Sequence, residues 1–245
     1  METASKDVLF TIAMNLRLPD LLRWCSSNSR VNKYVCHNDN IWRSKLLKDY
    51  PDIDIFRLNK SLRETYVFLY HLSYIKELLN SDESIYDIFR RKNVNLSRKG
   101  LKKVPAFDLP NLQILDLNSN QLTEVPMFDL PYLQELSLYK NKLMSVPSFN
   151  LPNLRTLDLH NNELIEVPAF ALPNLQYLEL YNNQLTKVPA FDLPNLHVLN
   201  LFNNKLTKVP EFHLPNLQLL TLHNNNLDKI TKKEVREKYG NKVVV

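Results

Sequence analysis

Glycine is almost absent from this chain, which has only two among its 245 residues. Neither Gly100 nor Gly240 belongs to a glycine-rich loop of the kind that cradles phosphate groups, so nucleotide-binding loops of that type are excluded. Cysteine is equally scarce, since Cys25 and Cys36 are the only two in the sequence. Neither belongs to a CxxC motif or to a Cys/His cluster of the kind that forms a zinc site. We therefore expect two reduced thiols in core or semi-buried positions, with a redox pair as the alternative.

Long apolar runs are also missing. No stretch approaches the roughly 18 uninterrupted apolar residues of a membrane-spanning helix, and no apolar segment of a secretory signal follows the first residues. The formal net charge is +5, but residues 101–230 carry 9 basic and 12 acidic side chains. A nucleic-acid groove needs clustered lysine and arginine. The sequence thus predicts a cytoplasmic or nuclear protein with no membrane or nucleic-acid partner.

A unit of 21 residues recurs over more than half of the chain. Each copy contains the phrase L-x-x-L-x-L-x-x-N-x-L-x-x-[VI], which begins at Leu112, Leu133, Leu154, Leu175, Leu196 and Leu217. The alternation around Leu136 and Leu138 is that of a strand with one buried face. Because a unit this short cannot bury its apolar side alone, the copies must stack into a solenoid with a continuous core.

The rest of each copy reads V-P-x-F-x-L-P-N or close to it. Paired prolines such as Pro126 and Pro131 forbid a helix there, so we expect an extended return path and little helix on the convex side. A stack beneath that path is predicted for Phe107, Phe128, Phe149, Phe170, Phe191 and Phe212. A ladder that pairs with free backbone groups and tolerates unusual dihedral angles is predicted for Asn120, Asn141, Asn162, Asn183, Asn204 and Asn225. This pattern resembles the leucine-rich repeat family from Val94 to Ile230.

In the first hundred residues, apolar side chains recur at the spacing of helices instead. Helices are predicted at Asp7–Leu16, Asp20–Cys25, Arg30–Cys36, Asn40–Leu47 and Leu62–Leu79. At the other end, Thr231 and Glu234 form a capping box for a helix that stops near Gly240. The fold class is therefore α+β, with helices before a parallel-strand solenoid of about seven repeats. The predicted domains are residues 1–55, a linking and capping segment at 56–92, repeats at 93–230 and a C-terminal cap at 231–245.

Three stretches of the first domain resemble an F-box. They are Val8-Leu9-Phe10-Thr11-Ile12, Leu18-Pro19-Asp20-Leu21-Leu22-Arg23 and Asn38-Asp39-Asn40-Ile41-Trp42-Arg43. The resemblance implies docking to a Skp-type linker subunit of a cullin-RING ubiquitin ligase through Leu9, Phe10, Leu18, Pro19, Leu21 and Leu22. Together with the many Asn and Lys residues, this F-box-like unit is similar to proteins encoded by giant DNA viruses of amoebae, which implies a location in the host cell.

Outward-facing strand residues are the candidate contacts for a target protein. The concave face is predicted to hold a ring column, Tyr139, His160, Tyr181, Phe202 and His223, beside Glu135, Tyr177 and an acidic centre at Asp158 and Glu179. Such a groove suits a protein segment with basic and apolar groups. The alternative is that the rings were copied with the framework and stack on each other for stability alone.

No set of side chains indicates an enzyme. His160 and His223 are three repeats apart, roughly 14 Å at strand spacing, which is too far for one metal ion. We therefore predict no catalytic residues, no metal site and no cofactor. Two functions remain: a ubiquitin-ligase adaptor that binds a target on its concave face, or a free-standing binding scaffold. In both, we expect a monomer outside its complexes.

Overall fold

The computed structural model describes residues 5–53, 60–107 and 109–245. The chain divides into two compact units, Met1–Tyr74 and Ile75–Val245. The predicted boundary between residues 1–55 and 56–92 lies outside the described residues. The observed division falls instead within the segment that was predicted to link the two domains.

The first unit is helical. It contains α1 (Lys6–Asn15), α2 (Leu18–Ser27), α3 (Ser29–Val31), a π-helical turn (Asn32–Cys36) and α4 (Asp39–Asp49), and α5 (Leu62–Leu79) begins in it. The hydroxyl of Ser5 caps α1 by accepting from the N–H of Val8, which satisfies a donor left free at a helix start. The third predicted helix is in fact a short α-helix followed by the π-helical turn. The indole N–H of Trp42 donates to the carbonyl of Cys36 at 3.0 Å, which ties this turn to α4.

The prediction of two reduced thiols is wrong. Cys25 and Cys36 form a disulfide, with Cα atoms 6.1 Å apart. Both side chains belong to the core of the helical unit. Disulfides persist mainly in oxidising compartments, so this pairing does not support the cytoplasmic or nuclear location, which stays a prediction.

The second unit contains the repeats, and its sheet has eight parallel strands in sequence order. The strands are β1 (Asn93–Asn95), β2 (Ile114–Asp116), β3 (Glu135–Ser137), β4 (Thr156–Asp158), β5 (Tyr177–Glu179), β6 (Val198–Asn200), β7 (Leu219–Thr221) and β8 (Val243–Val244). The register follows the repeat, so that Leu115 pairs with Leu136 and Leu136 with Leu157. The predicted parallel-strand solenoid is confirmed.

The return path contains no helix in the described residues between β1 and β7, as the prolines predict. The six phenylalanines form a continuous stack, with successive ring centroids 6.3, 6.0, 6.4, 6.2 and 5.7 Å apart. All except the first are buried. The path is therefore held down by rings that fill the core beneath it.

The predicted asparagine ladder is present. In Asn162, the side-chain amide donates to the carbonyls of Leu138 at 3.0 Å and Leu159 at 3.1 Å, while its oxygen accepts from the N–H of Leu143 at 3.1 Å. The other ladder asparagines repeat this pattern. Each amide joins its own turn to the preceding turn and satisfies backbone groups that would otherwise be buried unpaired.

The unusual dihedral angle belongs to the residue before each ladder asparagine, not to the asparagine itself. These residues are Ser119, Lys140, Asn161, Asn182, Asn203 and Asn224, with φ between 52° and 56°. Glycine is the usual choice for this left-handed region, and asparagine tolerates it better than most other side chains. The array thus makes its tight turns without glycine, mostly by using asparagine.

The repeats are flanked by α6 (Ile85–Phe89) and by α7 (Lys229–Tyr239). The predicted C-terminal helix is confirmed, but its capping residue was wrong. Asp228 caps α7 by accepting from the N–H of Thr231. After a 3₁₀ turn at Gly240–Lys242, β8 pairs with β7, which the sequence did not predict. Among the described residues, none of the helices has the length and apolar content to cross a membrane.

Substitution of Asn162 with alanine should destabilise the array by about 2–4 kcal/mol, because two buried carbonyls and one N–H lose their partner. Chemical denaturation of the full chain measures this change. The exposed neighbour Glu163, replaced by alanine, is the control and should have little effect. Equal stability of the two variants would show that the ladder does not stabilise the fold.

Replacement of Lys140 with asparagine should stabilise the protein by about 0.5–1 kcal/mol, because a lysine in the left-handed region carries a steric penalty that asparagine reduces. The midpoint of denaturation is again the measurement. Lys142→Asn makes the same chemical change at an exposed position outside the left-handed set. If both substitutions have the same effect, backbone strain at residue 140 is not the cause.

Candidate functional site

The solvent-facing side of strands β2–β7 is called the open face here, and it has three columns of side chains. The first column precedes the buried central leucines and contains Ile114, Glu135, Thr156, Tyr177, Val198 and Leu219. The central column follows them and contains Asp116, Ser137, Asp158, Glu179, Asn200 and Thr221. The ring column comes two residues later and contains Asn118, Tyr139, His160, Tyr181, Phe202 and His223. Because the strands are parallel and in register, each column runs straight across the sheet.

The predicted rings do come together. Tyr139, His160 and Tyr181 form a stack, with centroids 4.4 and 4.2 Å apart and planes within 9° of parallel. Phe202 and His223 form a second contact at 4.2 Å. Tyr139 and Tyr181 are half-exposed and not buried. The stack therefore stabilises the sheet and still reaches the surface.

Stacking limits what the rings can offer to a partner. Both faces of His160 are covered by tyrosines, and its side chain is only 13% exposed. Ring edges carry partial positive charge, whereas the faces carry the negative charge that attracts cations. The middle of the ring column thus presents edges and hydroxyl groups, and a cation-π contact is available only at the ends of the stack.

The central column contains a chain of polar contacts. Asp158 Oδ1 contacts the Nδ1 of His160 at 2.5 Å and accepts from its backbone N–H at 3.2 Å. The hydroxyl of Thr221 donates to the side-chain oxygen of Asn200, and the Asn200 side chain bonds Glu179. Glu179 also pairs in register with Asp158 on the next strand. Two carboxylates are therefore neighbours at the centre of the open face.

Glu179 is a half-buried acid at the centre of this face. Burial raises the pKa of its carboxyl, and the nearby charge of Asp158 raises it further, while the hydrogen bond from Asn200 and the charge of His160 act in the opposite direction. Its Oε2 atom is buried and has no hydrogen-bond partner among the described residues. Burial also raises the pKa of Tyr181, with smaller contributions from Asp158 and Glu179.

The first column offers the most accessible side chains. Tyr177 is 43% exposed and Leu219 is 38% exposed, and Glu135 is exposed as well. Over all three columns there are four carboxylates, those of Asp116, Glu135, Asp158 and Glu179, and no lysine or arginine. The open face is therefore acidic, with exposed apolar groups at one side.

The six residues predicted to dock a linker subunit fall into a buried group and an exposed group. Leu9, Leu18 and Leu21 are in the core of the helical unit, at most 2% exposed. Phe10 and Pro19 are exposed, and Leu22 is half-exposed. Only the second group can contact a partner directly, while the first group holds the helices together. Docking itself stays a prediction.

Clusters of metal-ligating side chains are absent from the described residues. No group of three or more His, Cys, Asp or Glu side chains there could hold a metal ion. Asp158 contacts His160, and Ser137 pairs in register with Asp158 on the adjacent strand. The Oγ atom of Ser137 is buried and has no hydrogen-bond partner among the described residues.

Family models match the repeats of this chain. The model for leucine-rich repeats in two copies matches residues 131–172, 152–193, 173–211 and 194–234. The model for a single leucine-rich repeat matches residues 111–131. No curated protein matches the chain.

Solved structures that are similar to this chain include proteins of three bacteria. YopM from Yersinia enterocolitica is 29% identical, covers 68% of this chain and has a TM-score of 0.54. InlP of Listeria monocytogenes is 33% identical over 53% of this chain, and a leucine-rich repeat protein of Leptospira interrogans is 29% identical over 56%, both with TM-scores of 0.48. The chain spans 38%, 40% and 44% of the lengths of the Yersinia, Listeria and Leptospira proteins.

Replacement of Glu179 with glutamine should raise the melting temperature at neutral pH by about 1–3 °C, because it removes a partly buried charge. The raised pKa of Glu179 means that its carboxyl group binds a proton more tightly in the folded protein than in the unfolded chain. Stability from the neutral carboxyl is thus complete below the ordinary pKa of 4.5 and is lost as the pH rises through the folded-state pKa.

The melting-temperature difference between Glu179→Gln and the unsubstituted protein should therefore disappear near pH 4 and grow towards pH 7. Glu135→Gln, on the exposed first column of the same face, is the matched control. A difference that is independent of pH, or larger in acid, would contradict the assignment of the penalty to the Glu179 charge.

Proposed function

The chain is a leucine-rich repeat protein, and we propose that its open face binds a target protein while residues 1–55 dock a Skp-type linker subunit of a cullin-RING ubiquitin ligase. Solenoids of this family are typically binding scaffolds and not enzymes. In this proposal the protein is the substrate-recognition subunit of the ligase, and it acts in the cytoplasm or nucleus of a host cell.

The single observation that carries target binding is the composition of the open face. It combines exposed Tyr177 and Leu219 with four carboxylates and has no lysine or arginine. Tyrosine is enriched among the residues that supply most of the binding energy of protein interfaces, and charge complementarity contributes to the choice of partner. The surface therefore favours a polypeptide segment with basic and apolar side chains.

Docking of the linker subunit is supported by the F-box-like order of the first fifty residues and by exposed apolar side chains. Three apolar side chains of this unit are exposed, Phe10 at 39%, Val8 at 48% and Leu47 at 61%. Exposed apolar side chains are available for contact with a partner. Phe10 is the residue that we expect to contribute most.

The second candidate function is a free-standing binding scaffold with no ligase. The burial of Leu9, Leu18 and Leu21 favours it, because half of the predicted docking residues are needed for the core of the helical unit itself. In this case the helical unit is only an N-terminal domain of the scaffold, and the target is bound but not ubiquitinated.

Quantitative affinity capture from cells tests both parts with the full-length chain. Tyr177→Ala should reduce recovery of the target, since loss of an interface anchor costs about 2 kcal/mol, roughly 30-fold in affinity, and it should leave linker recovery unchanged. Phe10→Ala should have the opposite effect, with less linker subunit and the same amount of target.

The controls are exposed residues of the same two units. Met127→Ala, on the return path and 56% exposed, should not change target recovery, and Thr11→Ala on α1 should not change linker recovery. Suppose that a target is lost with Tyr177→Ala but that no linker subunit is recovered with the unsubstituted chain. This result would support the free-standing scaffold and contradict the ligase adaptor. If Tyr177→Ala and Met127→Ala behave alike, the open face is not the binding surface.

A further inference from the structure

A polar cavity of about 340 Å³ lies where the chain enters strands β3, β4 and β5. We call it the strand-entry cavity, and it is lined by Gln134, Asn153, Arg155, Asn174, Gln176 and Asn195. Its lining consists of one guanidinium group and five side-chain amides, with no carboxylate and no apolar side chain. Glu135 directly follows Gln134 in the sequence but does not line the cavity.

The repeat places these residues with little freedom of the backbone. Gln134, Arg155 and Gln176 each immediately precede the first residue of a strand. The N–H groups of Arg155 and Thr156 both donate to the carbonyl of Gln134, at 2.8 and 3.0 Å. The same pair of bonds joins the next repeat to Arg155. The side chains of this row therefore start from a fixed main chain.

The three asparagines are held by the preceding repeat. Their side-chain amides donate to the carbonyls of Pro131, Pro152 and Pro173 at 2.7, 2.8 and 2.8 Å. Each amide group has two N–H donors, so each asparagine keeps one donor after this bond. The wall of the strand-entry cavity thus contains three amides oriented by the proline carbonyls, each with one N–H donor left and one acceptor oxygen.

Arg155 adds a positive charge to this wall. Its guanidinium group is exposed and has no carboxylate partner within the described part of the chain. A guanidinium group has five donors in a planar fork that fits the two oxygens of a carboxylate. One positive charge balances a carboxylate, whereas a phosphate monoester with a charge of about −1.5 to −2 would be under-neutralised.

We propose that the strand-entry cavity binds a carboxylate group, held by Arg155 and the amides of Gln134 and Gln176. These three residues directly precede first-column residues of the open face in the chain. We therefore assign this carboxylate to the protein segment that the open face binds, a step that rests on the proposed function. Asp158 comes three residues after Arg155, roughly 10 Å along the strand direction. The partner therefore carries an acidic group at one point and a basic group about 10 Å away.

The source of the carboxylate is either an acidic side chain or the end of a polypeptide chain. Three probes separate these sources from other anions: the methylamide of N-acetylaspartate, N-acetylglycine and inorganic phosphate. Each is titrated into the full-length protein while the side-chain N–H signals of Arg155, Gln134 and Gln176 are followed by NMR. Because the contacts are charge-assisted hydrogen bonds without apolar burial, we expect saturation in the millimolar range.

Saturable shifts with either carboxylate probe, stronger than with phosphate, support the proposal, and the tighter of the two probes identifies the source. Arg155→Gln should weaken that binding about tenfold or more. Arg98→Gln, an exposed arginine outside the cavity, should not change it. The carboxylate site is overturned if neither carboxylate probe saturates, if phosphate binds more tightly, or if both arginine variants behave alike.

A second measurement keeps this proposal separate from the proposed function. Arg155→Gln is added to the affinity capture, where it should reduce target recovery. If probe binding is lost but target recovery is unchanged, the carboxylate site exists but the partner does not use it. If Tyr177→Ala has no effect on the target while the probes still bind at Arg155, the proposed function fails and the carboxylate site remains.

Discussion

One buried amide per turn is the constraint on which the solenoid depends. A three-residue strand with one buried leucine supplies too few hydrogen bonds and too little apolar contact to be stable alone. The ladder asparagines add bonds that cross between turns, such as those from Asn162 to the carbonyls of Leu138 and Leu159. Because the amide reaches both its own turn and the one before it, a turn is complete only when its neighbour is present. The array is therefore cooperative along its length.

The stacking of turns in register also determines the composition of the open face. Strict register places chemically related side chains directly beside one another, so a ring in one copy meets a ring in the next, as in Tyr139, His160 and Tyr181. It also brings Asp158 and Glu179 together, so that the charge of Asp158 adds to the effect of burial, which is the larger cause of the raised pKa of Glu179. Stability and the proposed binding thus depend on the same columns, and we expect a change at one position of the repeat to affect both.

Much of the fold could be predicted from the sequence, because the repeat encodes strand, return path and ladder locally. The rings of the open face could be predicted for the same reason. Errors arose where contacts are not local. The pairing of Cys25 with Cys36 depends on how α2 and the π-helical turn meet, and no spacing rule reveals it. β8 was missed because two valines after a helix have no strand signal until β7 offers an edge.

The site was predictable only in part. The F-box resemblance places Leu9 and Phe10 alike in the docking set, yet one is buried and the other exposed, because a resemblance in residue order does not say which side of α1 packs against the other helices. Arg155 was overlooked because its row lies before the strands, where the return path and the strand entries meet. That row becomes a cavity only when three adjacent copies are stacked.

The closing strand β8 has a consequence for how such a protein changes over generations. It pairs with the main-chain edge of β7, and every repeat strand presents an equivalent edge. A closing segment of this kind suits an array of any copy number, so duplication or deletion of one whole 21-residue unit leaves both ends of the sheet intact. The width of the open face can thereby change in steps of one strand, roughly 4.8 Å. The proposed binding surface could then match partners of different size.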